Sequence, residues 1–355
     1  MQNTFLNRTA LLLAFISLAI LALLPQPSAA GSSPGPAVEQ TVPKADKVKL
    51  PKCTYIASYA PGYEWQDRLE SALFNTLRKQ CEVQTFYMDS KKLNTESQLE
   101  ASGLKAKQFI EQTQPDLVIV SDDNAVEYVL APYFNGSSLP FIFCGVNNSG
   151  INYGLPYSNT TGMLEIAPVR QLLELLFQIN PGKTHVAYLA GPGTTAAKNV
   201  AAFHQIVKEF DIPSSAFQAR TQEDWRQLFK QLQEDENTDI ILFDNFASFP
   251  QWDRDINLSW VKRYSKKLTV TNSDWVMPYV MLGLANKPEE QGTWAGLSAI
   301  HTLNGMPINR QEVVANNSFV FWYNPTLIQE STSPLPSAFL MQAQPYESKE
   351  SELDE

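Results

Sequence analysis

The sequence predicts an α/β protein made of two doubly wound, Rossmann-like lobes that are joined by a multi-strand hinge. Strand-like and helix-like segments alternate over residues 54–146, turn-forming residues interrupt them over 147–162, and the alternation then resumes as far as residue 272. The chain beyond holds one helix-like segment, 288–304, and one strand-like segment, 318–323, which are too small to fold alone. Each must complete a lobe already begun, so the chain crosses between the lobes more than once.

The first run of alternation predicts four strands and three helices. Its third strand, DLVIVS, is a continuous apolar run of the kind that is buried on both faces of a parallel sheet. Leu69, Leu73 and Leu77 recur at helical spacing and mark the buried face of the first helix. The predicted strands are 54–59, 83–88, 116–121 and 140–146, and the predicted helices are 65–79, 96–113 and 125–133.

The second run predicts another four strands and four helices. Val200, Phe203 and Val207 lie on one side of its second helix and mark the face that packs on the sheet. The predicted strands are 184–190, 216–220, 239–244 and 268–272, and the helices are 169–179, 195–210, 223–233 and 256–266. The expected domains are 50–148 plus about 278–308 for the first lobe, and about 163–275 plus 312–328 for the second.

Both ends of the chain are predicted to lie outside the lobes. Residues 1–30 have the layout of a secretory signal peptide, with a basic start, an apolar stretch at 10–24 and small residues at 28–30. A retained anchor is the alternative, and cleavage predicts a periplasmic or otherwise extracytoplasmic location. Residues 31–49 read as a disordered linker and residues 331–355 as an acidic disordered tail.

The charge of the chain excludes some partners. The sequence holds 37 acidic and 27 basic residues, a net charge of −10. Its last ten residues contain five acids and one lysine, so without them the counts are 32 and 26 and the net charge is about −6. Nucleic acids and anionic lipids bind basic surfaces, so we expect neither as a partner.

The three cysteines differ in their positions. Cys53 and Cys81 open the first two strands, and the starts of parallel strands lie at one edge of a sheet, about 5 Å apart for neighbours. That spacing is compatible with a disulfide, but two separate thiols remain the alternative. Cys144, inside the apolar run FIFCGV, is expected to be a buried thiol.

Ligands of doubly wound proteins bind at the carboxyl ends of the strands, so the loops that follow the strands are candidate binding sites. In the first lobe these loops hold aromatic side chains with a polar tip, which suit a small organic ligand, together with acidic and amide side chains. Alternatively, Tyr63 and Trp65 only fasten the following helix to the sheet, and the acidic run only caps a helix. The candidates are Ser58, Tyr59, Tyr63, Trp65, Asp122, Asp123, Asn124 and Asn147.

The loops of the second lobe supply the other half of the predicted cleft. The glycine-rich turn AGPGTT leads into a helix whose free amide groups can hold an anion, or it is a plain tight turn. Asp274 and Trp275 together suit an ammonium group with an apolar face. The candidates are Gly191, Thr194, Asn245, Asn272, Asp274 and Trp275.

No motif in the folded part of the sequence predicts catalysis, a metal site or a cofactor. The three histidines, His185, His204 and His301, are scattered without metal-ligand spacing, and the chain holds neither His-Glu-x-x-His nor Cys-x-x-Cys. We therefore expect a binding protein that uses no cofactor and is not an enzyme.

Four stretches of the sequence resemble one family of known proteins. They are SYAPGYEWQD, PDLVIVSDDNAVEYVLAPYF, LPFIFCGVNN and WVMPYVMLGLANKPEEQGTWAG, and they are similar to bacterial ABC-transporter substrate-binding proteins of uncharacterised transport systems. The resemblance runs from about residue 54 to residue 325. It implies the type I periplasmic-binding-protein fold, an interlobe cleft that closes on a ligand, and an ABC permease as the membrane partner of a monomer.

The resemblance also bears on the ligand and on the role. Some relatives look like receptors for aromatic amino acids, which implies a ring stacked on Tyr59, Tyr63, Trp65 or Trp275 and an ammonium group that meets an acid such as Asp274. Other relatives are sensing ectodomains of signalling proteins. They imply an alternative, a free ligand-binding protein that docks onto a separate membrane sensor.

Overall fold

The computed structural model describes residues 49–179, 184–244, 246, 249, 251–329 and 335–347. The predicted signal peptide and residues 31–48 of the predicted linker lie outside these ranges. Within the described ranges, no helix is both long enough and apolar enough to cross a membrane. The described chain is built around two sheets of six and seven strands.

The first lobe is a parallel sheet with helices on both faces. Its elements are β1 (Lys52–Ala57), α1 (Glu64–Leu77), β2 (Glu82–Tyr87), α2 (Glu96–Thr113), β3 (Leu117–Ser121), α3 (Asp122–Ala125), α4 (Ala131–Phe134), β4 (Phe141–Asn147) and β5 (Thr160–Glu165), with a π-helical turn at Val126–Leu130. The strand order β2-β1-β3-β4-β5 is doubly wound. Alternate residues of β1 enter opposite cores, Ile56 beside α2 and Tyr55 beside α1.

The second lobe repeats this plan. Its elements are α5 (Val169–Ile179), β6 (Val186–Ala190), α6 (Thr194–Glu209), β7 (Ser214–Gln218), α7 (Gln222–Glu234), β8 (Ile240–Phe243), α8 (Arg254–Tyr264), β9 (Leu268–Thr271) and β10 (Leu282–Asn286). The strand order is β7-β6-β8-β9-β10, and all of these neighbours are parallel. The fold class predicted from the alternation of strands and helices is confirmed.

The C-terminal segments are divided between the two lobes. They are α9 (Pro288–Leu303), β11 (Val314–Ala315), β12 (Phe319–Tyr323), α10 (Pro325–Gln329), α11 (Ser337–Leu340) and β13 (Gln344–Pro345). Helix α9 packs in the first lobe and β11 pairs with β5, whereas β12 pairs antiparallel with β10. The chain therefore crosses between the lobes three times, after β5, after β10 and after β11.

Two glycines allow α9 to lie directly on α1. A Cβ atom on Gly292 would stand 2.0 Å from the carbonyl oxygen of Leu69, and one on Gly296 would stand 2.7 Å from the Cβ of Thr76. Real side-chain contacts are never that short, so only glycine permits this approach of the two backbones. The close packing holds the segment after the second crossover in the first lobe.

The structure corrects the predicted loop over 147–162. Its last residues begin β5, which pairs with β4 along the first sheet. The sequence of this strand, TTGMLE, is neither continuously apolar nor cleanly alternating. It is buried because Phe143 lies over Gly162, where a Cβ would come within 2.2 Å of the aromatic ring.

The structure also corrects the predicted domain boundaries. Strand β10 lies inside 278–308, which was assigned to the first lobe, but it belongs to the second sheet. Strand β11 lies inside 312–328, which was assigned to the second lobe, but it belongs to the first sheet. The crossovers are only a few residues long, so composition does not mark them.

Part of the predicted disordered tail is ordered. The described residues 335–347 form α11 and β13, and β13 joins the second sheet beside β12. Phe339 is buried, and its ring meets that of Phe321 edge-on at 4.9 Å. Leu335, Leu340 and Tyr346 also pack against the second-lobe core, so several apolar side chains anchor this segment.

Cys53 and Cys81 are joined in a disulfide at the start of β1 and β2. Their Cα atoms are 6.0 Å apart, as expected for neighbouring strands, and the enclosed loop carries α1. A loop of this length stabilises the folded state by about 3–4 kcal/mol in the chain-entropy account. Cys144 is a free, buried thiol.

Three polar side chains tie the crossing segments together. Asn316, after β11, accepts a hydrogen bond from the backbone nitrogen of Ile166 at 2.6 Å and donates to the side chain of Asn286 at 2.8 Å. Asn286 in turn donates to the Glu165 carboxyl group at 3.3 Å. All three crossings therefore meet in one hydrogen-bonded network, which we call the hinge network (Glu165, Ile166, Asn286 and Asn316).

We predict that Asn316→Ala lowers the free energy of unfolding by about 2–4 kcal/mol, because it leaves buried donors and acceptors without partners. Urea unfolding followed by circular dichroism measures the loss. Asn317→Ala is the matched control, since the Asn317 side chain is exposed, and it should change stability by no more than about 0.5 kcal/mol. Equal losses in the two variants would contradict the structural role of the network.

Candidate functional site at the strand ends

Ser58 forms hydrogen bonds that hold β1, β3 and α3 together below the candidate site. It is fully buried after β1; its hydroxyl donates to the carbonyl oxygen of Ser121 at 2.6 Å and accepts from the backbone nitrogen of Ala125 at 2.8 Å. Both hydrogen-bonding roles of the hydroxyl are thus used within the protein. The hydroxyl therefore ties β1 to β3 and α3, and ligand contact by Ser58 stays a prediction.

Asp122 is a buried carboxylate that lacks a full set of partners. It lies at the end of β3 with φ of +65°, and its Oδ1 accepts from the indole nitrogen of Trp65 at 3.0 Å. Its Oδ2 is buried and has no hydrogen-bond donor among the described residues. Burial raises the pKa of Asp122 well above its usual range, and the nearby Glu165 and Asp123 carboxyls raise it further.

The acidic residues after β3 do not cap the helix that follows them, which was the alternative to a role in ligand binding. No side-chain oxygen caps the start of α3. Asp123 instead accepts hydrogen bonds from the amide of Asn147 at 2.5 Å and from the hydroxyl of Tyr153 at 2.9 Å. Asn124 donates to the hydroxyl of Ser90 at 2.8 Å. Asp123 and Asn147 thus lie in contact, because they follow neighbouring strands of one sheet. Asn124 instead contacts the loop after β2.

Tyr59 and Tyr63 form an aromatic corner after β1. Their rings meet edge-to-face at 5.1 Å, and the ammonium nitrogen of Lys91 lies 4.5 Å and 4.7 Å from their centroids. Burial, followed by the Asp122 and Glu165 charges, raises the pKa of Tyr63 to about 12, so both phenols are neutral at pH 7. Trp65 packs on the first-lobe core, as the fastening alternative predicts, and its indole nitrogen donates to Asp122; ligand contact by Trp65 stays a prediction.

Glu165 links the site to the hinge network. It ends β5, beside the first crossover, and its Oε1 accepts from Asn286. Burial raises the pKa of Glu165 to about 8, and the charges of Asp123 and Asp274 contribute, although the Asn286 bond opposes the shift. Because Asp274 belongs to the second lobe, its charge reaches Glu165 across the cleft.

The second lobe faces this site with the segment that follows β9. Asp274 lies 3.7 Å from the guanidinium of Arg68 on α1, and Arg68 also forms a bidentate pair with Glu289. Trp275 is 47 % exposed at the rim. The Oδ1 atom of Asn272 is buried without a donor among the described residues, as is Asp122 Oδ2 in the other lobe.

The glycine-rich turn connects β6 to α6. Gly191 is buried after β6, and Gly193, with φ of +98°, precedes the first residue of α6, Thr194. The carbonyl oxygen of Gly193 accepts a hydrogen bond from Gln218 at 3.2 Å. These contacts describe a tight turn with a structural partner. Asn245, the remaining candidate, lies outside the described residues.

Residue-by-residue sequence reasoning missed three members of the site. Lys91 lies in a short helical turn after β2, Glu165 ends the strand that was read as a loop, and Arg68 is one charged residue on an amphipathic helix. The position of Lys91 after a strand was the only signal available for it. Nothing in the local sequence distinguishes Arg68 from a solvated surface arginine.

The comparisons with known proteins show the fold. No family model matches the sequence, and no curated protein is similar to it. A ligand-free, open substrate-binding protein with adhesive properties from Clostridium difficile has a TM-score of 0.66 at 12% identity, over 84% of this chain and 100% of that one. The chain has the type I periplasmic-binding-protein architecture. The family indicated by the four sequence stretches stays a prediction.

Other solved structures share this architecture. An ABC domain from Streptococcus pneumonia, in complex with L-Trp, matches with a TM-score of 0.59 at 15% identity, over 84% of this chain and 99% of that one. A periplasmic ribose ABC transporter from Conexibacter woesei matches with a TM-score of 0.53 at 13% identity, over 79% of this chain and 94% of that one. Transcriptional regulators of the LacI family also match. These identities are too low to carry a ligand or a role to this chain.

The raised pKa of Glu165 predicts how stability depends on pH. The folded state holds a proton on this carboxyl up to about pH 8, whereas the unfolded chain releases it near its usual pKa of 4.5. The folded state therefore binds more protons in this window, and its stability falls as the pH rises through it. We expect the melting temperature to fall between pH 5 and 9, and Glu165→Gln to make that fall shallower.

The control for this measurement is Glu312→Gln, an exposed carboxyl in the same lobe, which should keep the wild-type slope. Asp122 contributes in the same direction, so the slope of the Glu165→Gln variant should diminish without vanishing. A wild-type slope in Glu165→Gln would show that Glu165 is ionised in the folded protein at neutral pH.

Proposed function

We propose that this protein is an extracytoplasmic substrate-binding protein of an ABC-type importer, which closes on a small metabolite in the cleft between its lobes. The cleft lies at the carboxyl ends of the strands of two doubly wound sheets, where such folds bind ligands. The three crossings of the hinge network allow the lobes to move as units. The permease is the partner that the sequence resemblance implies.

A single observation supports ligand binding more than any other. Asp122 Oδ2 and Asn272 Oδ1 are buried without a donor among the described residues, and one lies at the strand ends of each lobe. An unsatisfied buried oxygen costs about 1–3 kcal/mol, more when it is charged. Folding alone gains nothing from this arrangement, whereas a ligand that donates hydrogen bonds would offset its cost on closure.

The acid that meets a ligand ammonium is better assigned to the first lobe than to Asp274. The Asp274 carboxylate already accepts from the backbone of Trp275 and lies beside the Arg68 guanidinium. Asp122 and Glu165, by contrast, form no ion pair with any described residue. An aromatic amino acid would place its ring against Trp275 at the rim and its ammonium group near these two carboxyls.

Export is supported by the cysteines as well as by the N-terminal sequence. A disulfide between Cys53 and Cys81 persists in an oxidising compartment and is rare in the cytoplasm. The signal-peptide layout of residues 1–30 agrees with this placement. Edman sequencing of the exported protein would locate the cleavage site.

A thermal-shift screen against amino acids, nucleosides, sugars and small organic acids tests the function. A ligand present at 100 times its dissociation constant adds about 2.7 kcal/mol to the free energy of unfolding. We expect at least one class to raise the melting temperature of the wild type. A protein that no class stabilises, or that turns a substrate over, would contradict the proposal.

The same screen should separate binding from stability at Asp122. We expect Asp122→Asn to leave the ligand-free melting temperature equal or higher, because an amide of the same size cannot ionise in this buried position, and to weaken ligand binding at least about tenfold. Asp255→Asn, on the exposed face of α8, is the control and should keep the full ligand-induced shift. Full binding by the Asp122→Asn variant would remove Asp122 from the site.

A further inference from the structure

Lys91 places a positive charge on the aromatic corner formed by Tyr59 and Tyr63. Its nitrogen lies within 5 Å of both ring centroids, at 4.5 Å and 4.7 Å, and the two rings are inclined at 77°. The negative faces of two tyrosine rings attract a cation in this geometry. Aromatic corners of this kind recognise organic ammonium groups in other binding proteins.

Little else holds the Lys91 ammonium in place. In the part of the chain that the structure describes, its nitrogen donates no hydrogen bond and forms no ion pair. The side chain is exposed and starts from a three-residue helical turn, Ser90–Lys92, after β2. The four-carbon side chain can therefore swing into solvent without breaking a specific contact.

Partial burial beside the two rings lowers the pKa of the Lys91 ammonium, and the Asp122 charge opposes that shift. The carboxyl groups of Asp122, Glu165 and Asp274 act on the Tyr63 phenol, and Asp122 also attracts the Lys91 ammonium. Asp122 is only 2 % exposed, and no residue in the described part of the chain donates to its Oδ2. The Arg68 guanidinium pairs with Glu289 and lies beside Asp274, whereas Lys91 is the cation that acts on Asp122.

We propose that Lys91 occupies, in the ligand-free protein, the position that the ligand's own cationic nitrogen takes in the complex. The ligand is then an organic ammonium compound, whose charged group displaces Lys91 from the Tyr59–Tyr63 corner and whose apolar part lies against the aromatic rim. This inference rests on the proposed function and specifies the ligand class. Lys91 acts as a built-in competitor that lowers the affinity for the ligand.

Isothermal titration calorimetry with two pairs of probes tests the displacement. Tryptamine and choline are the cations, and indole-3-acetamide and 3,3-dimethyl-1-butanol are their neutral counterparts of similar shape. In the full-length protein we expect Lys91→Gln to bind the cations about three- to tenfold more tightly, since a competing cation–π contact is gone. Lys91→Arg retains the cation and should stay within about twofold of the wild type.

A spectroscopic measurement follows Lys91 itself. Reductive methylation with ¹³C-formaldehyde labels the lysine ammonium groups, and the Lys91 signal is identified by its absence from Lys91→Gln. Ring currents of Tyr59 and Tyr63 should shift that signal upfield in the free protein. Saturation with the tighter of the two cations should return it to the position of a solvated lysine.

Three outcomes would overturn the inference. They are weaker binding of both cations by Lys91→Gln, an unmoved Lys91 signal at saturation, and equal gains for the neutral probes. If the protein binds neutral or acidic metabolites but neither cation, the inference fails and the proposed function stands. If no metabolite of any class binds, both fail.

Discussion

The hinge network is the constraint on which the rest of the structure depends. Three separate chain segments cross between the lobes, and Asn286 and Asn316 join them through hydrogen bonds that are largely shielded from water. Buried amide groups need all of their partners, so the relative positions of the three segments are restricted at this point. Lobes that share such a crossing can rotate about it but cannot separate.

The same network reaches the candidate site through Glu165. This carboxyl accepts a hydrogen bond from Asn286 and lies within electrostatic range of Asp122, Asp123 and Asp274. A charge introduced by a ligand near these groups would therefore change the protonation of a residue that belongs to the hinge. In the proposed function, Glu165 is therefore the side chain through which ligand binding would act on the hinge network.

Much of the fold could be predicted from the sequence, because buried parallel strands such as DLVIVS are apolar throughout and alternate with amphipathic helices. Strand β5 could not be predicted, because its sequence TTGMLE has no strand pattern. The contact of the Phe143 ring with Gly162, which packs this strand against β4, depends on the folded structure. At the site, Asp123 and Asn147 were both expected at the ends of strands in one sheet, and in the structure they form a hydrogen bond. Contacts that depend on side-chain reach, such as those of Lys91 and Arg68, leave no local pattern in the sequence.

The most direct test of the account is the distance between the lobes with and without ligand. Glu127, after α3, and Lys198, on α6, are exposed and interact electrostatically across the cleft, so spin labels at Glu127→Cys and Lys198→Cys report its width. We expect a ligand from the thermal-shift screen to narrow the distance distribution and to move its mean. Spectra that are identical at zero and saturating ligand would contradict a protein that closes about the hinge network.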